Sequence, residues 1–249
     1  MSDIMPSRKP KTLAEKLATD GSSCPIPATH DRLAEVHHWW HQMAELYHEP
    51  DPFRYRLSAF AQAARGVTNM LQKEKAAFAN FGFYEKWVIK AKTDPIMKWL
   101  DKTRTRGFHQ SALAPSSWLQ IECFHNPRRS IWDEDDSPLG TEDPFQCTHY
   151  YMNVGPSTDH GHNFTRHWSM DGLNGRELLD VCAYIYDQLD EIVTEAHERL
   201  GASVASYAQP GSLRRLPCME NIDQYRIVKT RIRRGKEVWI NRPHRQHIH

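Results

Sequence analysis

The chain has 249 residues, with 32 Lys and Arg against 31 Asp and Glu, so its formal charge is +1. A globally basic nucleic-acid coat protein is excluded, although a local basic patch is not. Hydrophobic residues make up 39% of the chain, enough for a core, and no run of about eighteen apolar residues suggests a transmembrane helix. The first ten residues lack the apolar stretch of a secretory signal, so a cytoplasmic location is expected. The five cysteines are spread widely without a CxxC pair, which favours reduced, buried thiols over a zinc ribbon or disulfide framework.

Residues 1–28 are polar and punctuated by proline, and read as a flexible arm. A helical bundle is expected over 29–115. Leu33, Val36, Trp40, Met43 and Tyr47 recur at helical spacing, and Glu49-Pro50-Asp51-Pro52 stops that helix. Phe53, Leu57, Phe60, Ala64, Val67 and Leu71 form a second stripe. A third helix is expected from Phe83 to Lys92. Asp94 caps a fourth, with Pro95 in its first turn and Gly107 at its end.

Residues 116–202 are expected to supply strands and one long helix. Trp118–Phe124, Phe145–Met152 and Phe164–Trp168 are β-like, and Asp133–Asp136 reads as a solvated loop. Asn174 and Glu177 have capping-box spacing ahead of an apolar stripe from Leu178 to Leu200, and Gly201 stands at its end. Residues 203–249 form a basic tail with one hairpin, Tyr225–Ile232 and Glu237–Ile240, turning at Gly235. The expected class is α+β, α-dominated: a helical bundle with a small β-rich insertion or appended region.

Four groups of residues suggest chemistry. Arg104 and His109 can share a pocket if the fourth helix ends near Gly107. The arginine would then hold a phosphate and the histidine would move protons, without a metal or other cofactor. Arg106 lies beside them, and Arg65 and Asn69 share a polar face of the second helix that faces the same groove or solvent. His160 and His162, with His167, form an alternative metal-ligand set in a His-rich loop. In the tail, Arg231, Arg233 and Arg234 are among many cations with few acids, a pattern that attracts phosphate backbones. His37 and His41, four apart on the first helix, have metal-ligand spacing or form an exposed helix face.

The segment from Leu33 to Gln110, with its Arg104-x4-His109 motif late in a helical bundle, resembles the HEPN superfamily. Thr105 and Gly107 depart from the usual motif. The resemblance implies a metal-independent endoribonuclease, a toxin or phage-defence effector that works as a homodimer and has a neutralising protein partner. Arg104 and His109 would be its catalytic pair, and RNA its substrate. The alternatives are a non-catalytic RNA- or protein-binding regulatory module on the same bundle, or a metal-dependent hydrolase using the His-rich loop. No membrane association is expected.

Overall fold

Among the described residues, five α-helices carry most of the core. The structure, a computed structural model, describes residues 24–109, 113, 115–125, 130–133, 160–202, 216–233 and 236–239. Helix α1 (Pro27–Glu45) has no side-chain cap of its own. Instead, the carboxylate of Glu74 accepts the backbone N–H groups of Ala28 and Thr29, each at 3.0 Å, and the Thr29 hydroxyl at 2.6 Å. A negative group at the positive end of the helix satisfies orphan donors and complements the macrodipole.

Helix α2 (Pro50–Lys73) begins earlier than its stripe indicates, because Pro50 and Pro52 sit in the first turn, where a missing N–H costs nothing. Helix α3 spans Gly82–Thr93 and α4 spans Pro95–His109. Asp94 caps α4, its Oδ1 accepting the N–H groups of Ile96 and Met97. Gly107 does not end α4, which continues to His109.

Helix α5 (Leu178–Arg199) is capped by Glu177 rather than Asn174. Asn174 instead adopts φ 53°, in a turn that also carries Gly172 and Gly175 at positive φ. Glu177 both caps α5 through Leu179 N–H and accepts the Trp168 N–H, so it clamps the helix to the preceding strand. The short helices α6 (Pro217–Glu220) and α7 (Asp223–Arg226) lead into the last two strands.

The apolar stripes of α1, α2 and α5 form one core with Trp87 of α3 and Trp99 of α4. Trp40 donates its indole N–H to Leu179 O, and Trp87 donates to Gln188 O, so α1 and α3 are both pinned to the α5 backbone. Among the described residues, no helix is long and apolar enough to cross a membrane.

The strands are β1 (Ser116–His125), β2 (Ser130–Asp133), β3 (His160–Ser169), β4 (Ile227–Arg233) and β5 (Lys236–Trp239). They form one antiparallel sheet in the order β2-β1-β3-β4-β5. Strand β3 is longer than its apolar residues indicate, since it includes Gly161 and both neighbouring histidines. Tyr225 falls in α7 rather than in the hairpin, and Asp133 ends β2 rather than opening a loop. The expected strand Phe145–Met152 and the arm lie outside the described residues. The molecule is α+β and helix-dominated.

Candidate nucleic-acid interface and metal-ligand clusters

Alternation along β3 divides the sheet into two sides. Phe164, Arg166 and Trp168 are buried and face the helices. Trp168 donates its indole N–H to Tyr47 O, and the Tyr47 hydroxyl donates to Arg166 O. Arg166 is fully buried; its Nη1 donates to the Ser117 hydroxyl, and its guanidinium lies 5.2 Å from the Trp168 ring centre.

The other side is read from the register, because directly paired residues share a side. Asn163 pairs with Glu122 and Lys229, Gly161 with Phe124 and Arg231, and His167 with Trp118. On β5, Lys236 pairs with Arg233, and on β2, Trp132 pairs with Glu122. Lys229, Arg231, Arg233 and Lys236 therefore occupy positions along one flank of this side. Trp118, Phe124 and Trp132 occupy positions along the other. Trp118 is 44% exposed and stacks on His167, with ring centres 5.0 Å apart.

His167 is held where this side meets the turn before α5. Its Nε2 donates to Gly175 O at 3.0 Å, and its Nδ1 lies 3.1 Å from Glu177 Oε2. Burial pushes the Glu177 carboxyl up to about 7, against its backbone hydrogen bonds, and burial lowers the His167 imidazole. With Nε2 committed as a donor, a neutral His167 presents a lone pair at Nδ1. A protonated Glu177 can donate to it.

Strand alternation also separates the expected metal-ligand set. His160 and His162 occupy the helix-facing side of β3, and His167 the opposite side. Other histidines and cysteines do converge. Cys24 Sγ lies 3.2 Å from His197 Nε2 and 3.6 Å from His30 Nδ1. In a second group, His37 Nε2 lies 3.2 Å from Cys218 Sγ and 3.1 Å from His41 Nε2. Each group brings three ligand atoms within 4.8 Å of one another, and either could hold a metal ion. The i, i+4 pair His37 and His41 was visible in the sequence; its thiol partner was not.

The remaining expected residues are scattered. Arg104, Arg106 and His109 lie in the last turns of α4, and because the helix continues to His109, positions 104 and 109 are about 140° apart around it. Arg65 and Asn69 line a cleft of about 830 Å³ between α1 and α2, beside Arg32 and Trp39. Arg65 also borders a smaller cleft of about 360 Å³ reaching Asp101. Arg231 and Arg233 are on β4, and Arg234 lies outside the described residues.

The fold and these sites define a helix-dominated α+β protein whose Cys–His groups pack against its apolar core and whose second sheet side carries cationic and aromatic positions. The profile of the family described as Bacteriophage lambda protein ea47 matches residues 18–139 and 152–248, and the chain belongs to that family. It is 33% identical over 169 residues to Protein ea47 of Escherichia phage lambda, a match covering 64% of this chain and 40% of that protein. The chain thus spans less than half the length of this curated relative. No solved structure matches. The family assignment overturns the HEPN resemblance, because its match includes the whole segment from Leu33 to Gln110 on which that resemblance rested.

Proposed function

We propose that this chain is a nucleic-acid-binding module that holds single-stranded RNA on the side of its sheet facing away from the helices. The observation that carries the proposal is the register, by which Lys229, Arg231, Arg233 and Lys236 share one sheet side with the exposed Trp118. Cations attract the phosphate backbone through counterion release, and aromatic rings offer surfaces on which unpaired bases stack. The near-neutral whole chain makes the concentration of positive charge on two adjacent strands a local feature.

The test is fluorescence anisotropy with a labelled single-stranded RNA oligomer at low salt, beside DNA of the same sequence and a duplex. Binding that weakens steeply with salt and is reduced about tenfold or more in R231Q/R233Q is expected. Absence of binding, or equal binding by the double variant, overturns the proposal. Strand cleavage is read in the same samples in excess EDTA. Cleavage lost in both Arg104→Ala and His109→Ala would add an endoribonuclease activity to the binding.

A further inference from the structure

The two Cys–His groups lie along one face of α1. His30, His37 and His41 are seven and four residues apart, spacings that keep them on one side of a helix. Cys24 approaches from the segment before α1, His197 from the end of α5, and Cys218 from α6. Neither group belongs to the sheet face.

We propose that each group, Cys24–His30–His197 and His37–His41–Cys218, binds one zinc-class divalent ion through one thiolate and two imidazoles. Distances support this first. A tetrahedral ion with bonds of about 2.3 Å to sulfur and 2.0–2.1 Å to nitrogen separates S and N ligands by about 3.5 Å and two N ligands by about 3.3 Å. Three of the four S···N separations are 3.2, 3.6 and 3.2 Å, the His37–His41 N···N separation is 3.1 Å, and the remaining ligand pairs lie within 4.8 Å. Small outward shifts admit the ion.

Orientation supports it second. His197 donates Nδ1–H to Val193 O at 2.8 Å, which fixes the tautomer and aims the Nε2 lone pair at Cys24. Metal-bound histidines are generally held by such a contact. In the second group, the single Nε2 site of His37 faces both Cys218 Sγ and His41 Nε2. One hydrogen bond cannot serve both neighbours, whereas one ion can.

The donor set selects a borderline ion, since thiolate with imidazole suits zinc and not magnesium or calcium. Neutral imidazole and thiolate are the forms that ligate such an ion. An unligated thiol carries its proton at neutral pH. Ion binding therefore breaks one S–H bond per group, forms one metal–sulfur bond and releases one proton to solvent. Three protein ligands leave a fourth position for water or another donor. The first ion would tie the start of α1 to α5, and the second would tie α6 to α1.

The test uses the full chain made without a histidine tag, stripped by a chelator and titrated with Co²⁺ as the spectroscopic probe. Two ions per chain with thiolate-to-metal charge transfer are expected. Cys24→Ser and Cys218→Ser should each remove one ion and about half the band, and Cys182→Ser should remove neither. Zn²⁺ should also slow alkylation of Cys24 and Cys218 in the unsubstituted chain, a readout that needs no variant to fold. A missing band, or unchanged alkylation, overturns the proposal. So does binding lost on replacing only His244, His247 and His249. One ion per chain, lost with only one of the two cysteines, overturns the assignment at the other group.

Discussion

The indole of Trp168 lies on the ring of Phe53, with centres 4.7 Å apart and planes 10° from parallel. This contact joins the sheet to α2, and both side chains are fully buried. Trp168→Ala should destabilise the protein by about 3–5 kcal/mol, through lost transfer energy and the cavity left behind. Trp168→Phe retains the stack but leaves Tyr47 O without its indole donor, at a cost of about 1–3 kcal/mol. On the other side of the sheet, Trp118→Ala should change stability by no more than about 0.5 kcal/mol. Urea unfolding of the three variants checks the order; equal losses at 118 and 168 would contradict the two-sided reading of the sheet.

Glu177 gives the stability profile one definite slope. Its carboxyl rises from the ordinary 4.5 to about 7 because it is buried. The folded state then holds a proton that the unfolded state has released, so stability is greatest below about pH 4.5 and falls as pH rises to 7. The shift corresponds to about 3 kcal/mol. Glu177→Gln should flatten that limb and be more stable, relative to the parent, at pH 8 than at pH 4. Denaturant midpoints at the two pH values measure this, and parallel profiles would rule it out.

His48 acts with the opposite sign. It is buried in the turn that follows α1 and donates Nε2–H to Tyr225 O at 2.8 Å, while its buried Nδ1 has no hydrogen-bond partner among the described residues. Burial, reinforced by the Arg166 charge, lowers its pKa to about 3. Between pH 6.5 and 3 the unfolded chain takes up a proton that the folded chain refuses, so stability falls on acidification, by about 5 kcal/mol over the full range. His48→Gln retains a donor for Tyr225 O and does not titrate. Its unfolding free energy should lose less between pH 6.5 and 4 than the parent's, and an unchanged loss would remove His48 as a source.

The helices were legible because their apolar periods survive into the core. Leu33, Val36, Trp40 and Met43, and later Leu178, Cys182, Ile185 and Leu189, are all buried. Ends were less legible where two residues carry similar chemistry. Asn174 and Glu177 can both cap a helix, and only the turn at positive φ and the Trp168 N–H select Glu177. Strand β3 extends beyond its apolar residues: His160-Gly161-His162 carries no β signal of its own, and pairing with β1 supplies it. The Cys–His groups were illegible for a different reason. Cys24 lies 173 residues from His197, and His37 lies 181 from Cys218, so no local spacing announces them.

The sheet-face proposal also fixes how RNA affinity must respond to salt. If Lys229, Arg231, Arg233 and Lys236 each neutralise one phosphate, log K falls against log salt with a slope of about −0.7 per contact on a single strand. Removing one cation, as in Arg231→Gln, should lower the slope magnitude by about 0.7 and weaken binding similarly across sequences. Trp118→Ala should leave the slope unchanged, because the ring carries no charge. It should still cost about 1–3 kcal/mol, the range for a stacked base, or about fivefold to 150-fold in affinity. Anisotropy titrations at several salt concentrations separate these effects. A slope indifferent to Arg231 would move the interface off β4, and affinity indifferent to Trp118 would leave phosphate attraction without base stacking.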